Sequence, residues 1–272
     1  MQEAGLLLPG WHAECRGVPN GIRRSALFAA IRPPQKRRRI ERETLASVDG
    51  LTLIYDGYQL DQGDLDVYEG ELHFAMTHGI PLGKPVLHSD ASFLKSLGRG
   101  TGRKEYVRLR DSQLRMVGGV VQIKFRHYFY AGSLINDLYR DEKLKMTGPV
   151  FNPKLLALFQ DGSYSSVYWA HRLALGDSPL AQWLHGHYSS HKQPYDYTVA
   201  KLHALCGSDT NKLFQFRYNL KEALAKLAAV TGWRCEIVSG DKVRVDKTGG
   251  HAEVLLAAKR PCKPAKKDRR HE

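Results

Sequence analysis

The chain has 272 residues, of which 42% are hydrophobic and 25% charged, and its formal net charge is +13. That length suits one or two domains, and that hydrophobic share provides a buried core, which excludes a wholly disordered chain. So large a positive surplus selects an anionic partner, nucleic acid before any other.

The charge is unevenly placed. Residues 32–42 and 259–272 carry +5 each and residues 99–126 carry +6, which leaves about −3 for everything else. Cys15, Cys206, Cys235 and Cys262 have no zinc-ligand spacing and are too few to staple a chain of this length. They read as reduced thiols of a cytoplasmic protein. No apolar run approaches 18 residues, so no membrane span is expected. The opening MQEAGLLLPGW lacks a basic stretch and does not read as a secretory signal.

In chain order, residues 1–39 read as an N-terminal arm. It holds Pro9, Pro19, Pro33, Pro34 and the basic run Lys36–Arg39, with a short amphipathic helix over Arg23–Ile31 docked on the core. Residues 40–150 read as a first domain. It opens with a hairpin over 40–55, turning at Asp49-Gly50. A helix follows, capped by Asp61 or Asp64, with Leu65, Tyr68, Leu72 and Ala75–Met76 recurring at helical spacing. Gly79 and Pro81 end it. Its carboxylates over 61–71 read as one exposed, solvated face, with no basic residue between Asp56 and Glu71. Next come a short helix over Ser89–Leu97, a glycine turn over 98–102 and a basic helix over Arg103–Val117. The β-prone runs VVQIKF and HYFYAGSLI then form a hairpin. Helix, short helix, turn, basic helix and hairpin is the order of a winged helix-turn-helix, with this hairpin as the wing.

Residues 151–256 repeat that order as a second domain. The helices fall over Pro179–Ser190, Thr198–Cys206 and Asn211–Val230, and a hairpin turns at Ser239-Gly240-Asp241. Residues 141–178 join the two, with Lys143–Phe151 extended. The tail 257–272 lacks apolar residues and reads as disordered and basic. The fold class is therefore α+β, with two tandem winged helix-turn-helix domains, a short arm and a basic tail.

The third helix of each domain is the candidate DNA reader. In the second, Leu213, Phe216, Leu220, Leu224 and Leu227 make an apolar stripe, opposite Asn211, Gln215, Tyr218 and Glu222. Lys212 and Asn219 lie alongside, and Arg217 sits nearer the core, where a phosphate contact suits it better than a base contact. Asn and Gln read adenine edges, and Lys reaches guanine or phosphate. In the first, Arg103, Lys104, Arg108, Arg110 and Arg115 share one helix, whose core face is either Val107/Leu114/Val117 or Leu109/Met116. No catalytic or metal residues and no cofactor are expected. There is no phosphate-binding GxxxxGK[ST] loop, and His185 and His187 point apart on a helix.

The stretches RSALFAAI (24–31), YDGYQLDQGDLDVYEGELHFA (55–75), SFLKSLGRGTG (92–102), GPVFNPKLLALF (148–159) and PLAQWLHGHYSSHKQPY (179–195) resemble the TrfA-type plasmid replication initiators. The resemblance runs over roughly residues 18–245. It implies a bacterial cytoplasmic protein that binds repeated iteron duplexes and opens an AT-rich origin. It further implies recruitment of host initiator, replicative helicase and sliding clamp, and admits single-stranded origin DNA and a second copy of the chain as partners. Leu27-Phe28 resembles the end of a clamp-binding peptide, while burial of that pair on the first domain is the alternative. A winged-helix transcriptional repressor is the competing function, and helicase loading at an origin separates the two.

Overall fold

The computed structural model describes residues 6–33, 37–125 and 127–250. Lys36, the basic tail 257–272 and Cys262 lie outside them. The organising element is a central helix, α2 (Gln62–Thr77). Asp61 accepts from the backbone N–H of Gly63 and Asp64, and Asp64 accepts from that of Asp61, so both expected caps act together in one capping box.

A four-stranded sheet draws on segments from both sides of α2 in the chain. The expected hairpin forms from β3 (Arg39–Leu45) and β4 (Leu51–Tyr58), with Gly50 at φ +80° in the Asp49-Gly50 turn. After α2 come β6 (His88–Ser89), α3 (Asp90–Ser96) and α4 (Arg103–Gly118). The hairpin expected as the wing, β7 (Val120–Phe125) with β8 (Tyr128–Gly132), goes elsewhere. It adds to the first hairpin as the antiparallel sheet β3-β4-β7-β8. The physical reason is burial: Val121, Ile123 and Tyr130 bury against Leu51, Leu53 and Tyr55. The hairpin that pairs with β6 is the next one, β9 (Asp137–Asp141) and β10 (Met146–Val150), in the order β6-β10-β9. Part of the expected joining segment thus belongs to the first half.

Two short helical turns over Pro153–Gly162, β11 (Tyr164–Tyr168) and α5 (Trp169–Ala174) lead to α6 (Pro179–Ser189), β12 (Tyr197–Thr198), α7 (Val199–Leu205), α8 (Leu213–Thr231), β13 (Arg234–Val238) and β14 (Lys242–Asp246). Here the hairpin does follow the long helix directly, and the sheet order is β12-β14-β13.

Residues 6–33 are not a loosely docked arm. Strand β1 (Cys15–Pro19) is buried throughout and pairs antiparallel with β11. The helix expected over Arg23–Ile31 is instead α1 (Asn20–Arg23), and β2 (Phe28–Ala29) runs parallel to β5 (Leu60–Asp61). Leu27, Phe28 and Ile31 all reach the core. Leu27 and Phe28 are each 1% exposed, so this packing does not present them to a partner.

The acidic face of α2 is the largest departure from the expectation. Asp61, Asp64, Glu69 and Glu71 are buried rather than solvated. Arg37 reaches Asp61 at 2.6 Å, Arg115 of α4 reaches Asp64 at 2.6 Å, and Arg23 of α1 reaches Glu69 at 3.0 Å. His88 of β6 and Gln113 of α4 share Glu71 at 2.7 and 2.8 Å. Arg172 of α5 is wholly buried and donates to Asp66, to the side chain and carbonyl of Gln62, and to the Gln182 carbonyl of α6. Arg172→Ala should therefore lose about 3–5 kcal/mol of unfolding free energy in urea titration, because it strands buried acceptors. Arg38→Ala, whose partner Glu43 is exposed, should lose no more than about 1 kcal/mol.

Histidines set the acid limit of this core. Burial pushes His73 down to about 3 and His191 to about 4, and holds His185 and His187 well below the ordinary range. These groups stay neutral in the fold, while the unfolded chain takes up protons below about pH 6.5. Stability is therefore full above that pH and falls as pH drops, by up to about 1.4 kcal/mol per pH unit per histidine. His88 has the opposite sign. Burial alone would lower it, but the charge and hydrogen bond of Glu71 raise it, so its contribution is present at acid pH and lost as pH rises through its raised value. The expected net outcome is a urea midpoint that declines from pH 7 to pH 5. His187→Phe should flatten that decline, and an unchanged slope would contradict the assignment.

Candidate nucleic-acid interface

Two segments of the chain are built on one plan. Ser89, the last residue of β6, caps α3 by accepting from the Ser92 backbone N–H at 3.2 Å. Thr198, the last residue of β12, caps α7 by accepting from that of Lys201 at 3.1 Å. Gly98 and Gly207 end the two helices at φ +69° and +61°, a left-handed conformation that favours glycine. Each stands at the same offset from its cap (89 to 98, 198 to 207). A side chain there would also meet Leu173 in the first case and Ala26 and Ala29 in the second. Each turn then delivers the long helix, α4 or α8, with a hairpin strand pairing back to the short strand that began the unit.

In α4 the buried residues are Leu109, Ser112, Gln113 and Met116. The Leu109/Met116 alternative is therefore the core face, and Val107 and Leu114 point outward at 52% and 50% exposure. The outward face also carries Arg103, Lys104, Arg108 and Arg110. Arg108 is held by Glu105 at 2.7 Å on the same helix. Arg115 does not belong to this face, since its guanidinium is committed to Asp64. Arg99, in the preceding turn, is likewise tied to the Gly63 carbonyl and Asp66.

In α8 the stripe Phe216, Leu220, Leu224 and Leu227 is buried as expected, but Leu213 is exposed. The helix begins at Leu213 with Lys212 as its N-cap, so Asn211 lies just before it. Gln215 donates to Asn219 at 3.3 Å across one turn of the outward side. Tyr218 stands on that side too, and Glu222 raises its hydroxyl above the ordinary range by accepting its hydrogen bond. Arg217 reaches Asp241 in the β13–β14 turn at 2.6 Å, which fastens the helix to its hairpin. Sequence reasoning missed Phe214. It lies next to Gln215 and is 69% exposed, with Lys212 Nζ 5.8 Å from its ring. Its signal was available, because at 100° per residue Phe214 falls on the Tyr218 side. Missed as well were Lys143 and Lys145, exposed between β9 and β10.

His185 and His187 lie in α6 and are buried, His187 stacked on Trp183 with ring centroids 4.6 Å apart. Among the described residues no group of three His, Cys, Asp or Glu side chains could hold a metal ion. No described helix is long and apolar enough to cross a membrane. A cleft of about 480 Å³ opens beside α4, lined by Arg37, Arg39, Tyr58, Asp111 and Leu114 among others.

Residues 1–246 match the model of the TrfA protein family. The chain belongs to the TrfA family. It is 23% identical over 230 residues to the plasmid replication initiator protein TrfA of Escherichia coli, and the match covers 80% of this chain and 58% of that relative. The chain thus spans little more than half of the relative's length. Among solved structures, its fold is similar to crystal structures of domains 2 and 3 of RctB. One has a TM-score of 0.56 at 12% identity, covering 84% of this chain and 96% of that one. A second has a TM-score of 0.52 at 11% identity, covering 83% and 95%. The likeness establishes that this mixed helix-and-strand arrangement recurs there.

The two kinds of arginine in this TrfA-family chain should separate experimentally. Arg110→Ala, on the outward face of α4, should lower the log–log salt slope of duplex binding by about 1 and leave the melting temperature unchanged. Arg115→Ala should lower the melting temperature, because Asp64 loses a buried partner, and leave the slope of the folded protein as it was. The same salt titration with a thermal melt reads both.

Proposed function

We propose that this chain is a plasmid replication initiator that binds repeated iteron duplexes through α4 and α8, each the recognition helix of a winged helix-turn-helix unit. The two units divide near residue 151, with residues 6–33 built into both. The observation that carries the reading is the duplicated capped helix, left-handed glycine turn and long helix, each closed by a hairpin, in a chain of the TrfA family. In the wing role, β9–β10 replaces the hairpin that the sequence suggested for the first unit, and β13–β14 is the hairpin it suggested for the second.

The residues assigned to DNA are Arg103, Lys104, Arg108 and Arg110 in the first unit, and Asn211, Lys212, Gln215, Tyr218 and Asn219 in the second. Arg217 serves as a brace to the hairpin. Opening of an AT-rich origin and recruitment of host initiator, helicase and sliding clamp are the further steps that this function requires. The name of the E. coli relative supports an initiator over a repressor. Leu27 and Phe28 are left out of the partner contacts because of their burial.

The test is selection of a duplex site from a randomised pool, followed by footprinting on the replicon that encodes the chain. Repeated sites should be protected. With six to ten phosphate contacts, affinity should fall by about 10³–10⁵ between 50 and 200 mM salt. Gln215→Ala should relax base preference at one or two positions by roughly 1–3 kcal/mol, whereas Lys212→Ala should weaken all sequences alike. Binding that ignores salt would remove the proposal.

A further inference from the structure

We propose that Phe214, with Tyr218 one turn along, reads thymine methyl groups, so that the second unit recognises A·T pairs by an apolar contact beside an amide contact. This rests on the reading of α8 as a recognition helix and adds a residue and a base to it.

Two large aromatic side chains stand on the outward side of the first turns of α8, Phe214 and Tyr218, with Leu213 exposed at the helix end. Phe214 and Tyr218 are 69% and 59% exposed. The core stripe takes Phe216, Leu220, Ala223, Leu224 and Leu227. At 100° per residue, Tyr218 stands opposite the middle of that stripe and Phe214 lies 40° from Tyr218. Neither ring can turn inward without rotating the helix out of its core. A cluster of large apolar groups kept in water at one helix end marks a contact surface.

The neighbours are polar and cationic: Lys212 sits near the Phe214 ring, and Gln215 and Asn219 are joined by a hydrogen bond. That mixture suits a nucleic-acid groove better than an apolar protein pocket. A helix-turn-helix presents the N-terminal residues of its second helix to base edges, which is where Phe214 lies. In the major groove the one apolar group a base pair offers is the C5-methyl of thymine. On the same pair, adenine offers N6 and N7, which a glutamine amide can bind bidentately. Adjacent Phe214 and Gln215 therefore fit the two halves of one A·T pair or of neighbouring pairs. Tyr218 extends the apolar strip, its hydroxyl occupied by Glu222.

The experiment replaces thymine by deoxyuridine, one position at a time, in a site selected by the wild-type protein. Uracil removes the methyl and leaves every hydrogen-bonding edge intact. For wild type, one or two positions should lose roughly fourfold in affinity, the worth of one buried methyl group. Phe214→Ala should bind thymine and uracil sites alike at those positions, with an unchanged melting temperature. Wild-type binding indifferent to uracil at every position would overturn the inference while leaving the initiator reading standing. So would a Phe214→Ala protein that keeps the full thymine preference, an outcome that would assign the patch to a protein partner. Failure of the wild type to select any duplex would instead remove the initiator reading itself.

Discussion

The structure depends on the burial of carboxylates along α2. A helix that brings Asp61, Asp64, Glu69 and Glu71 into the interior is tolerated only if each meets a donor, because an unpaired buried charge is too costly. The donors come from different elements: Arg37 ahead of β3, Arg115 and Gln113 of α4 and His88 of β6, with Arg172 of α5 on the less buried Asp66, while Glu69 is matched in charge by an ion pair with Arg23 of α1. Such pairs add little net stability over an apolar core of equal volume. What they add is geometry, since each pair is satisfied in one arrangement only. Arg115 to Asp64 and Gln113 to Glu71 fix the rotation of α4 about its axis. That rotation turns Arg103, Lys104, Val107, Arg110 and Leu114 outward.

The second unit reaches the same end by other means. Helix α8 is oriented by an apolar stripe against α6 and its own hairpin, with one surface brace from Arg217 to Asp241. Polar chemistry returns where the units meet. Arg172 holds α2 on one side and the α6 backbone on the other, and the Trp183 indole of α6 donates to the Ser25 carbonyl at 3.3 Å. Residues 6–33 thus pack against both halves of the chain, β1 on β11 and β2 on β5, which is why a segment rich in proline and lacking strong periodicity is nevertheless buried.

Local signals were legible and partner choice was not. The Asp49-Gly50 turn, the Asp61/Asp64 cap, the glycines at 98 and 207, and the helical periods of α2, α4, α6 and α8 all follow from nearest-neighbour chemistry. The hairpin after α4 was placed in the wrong sheet because sequence order names the next strand, whereas pairing is decided by which face Val121 and Ile123 can bury against. The carboxylates of α2 read as solvated from the sequence because their partners, Arg23, Arg115 and Arg172, are remote in it. The ambiguity over the α4 core face had the same cause. Ser112 and Gln113 are buried polar residues that no apolar period announces, and their burial selects the Leu109/Met116 face.

This reassignment changes what the net charge of +13 means for binding. Part of the basic complement is structural: Arg16, Arg23 and Arg172 are buried, and Arg37 and Arg115 are bound to interior carboxylates. Of the eight basic residues in 99–126, Arg99 and Arg115 are thereby withdrawn from any phosphate surface. A count of charges therefore overstates the electrostatic footprint. With fewer phosphate contacts, a larger share of specific affinity must come from base edges. In the proposed complex those edges would meet the amides and exposed aromatic rings of α8 alongside Lys212, an arrangement suited to discriminating between sequences as well as to holding DNA by charge.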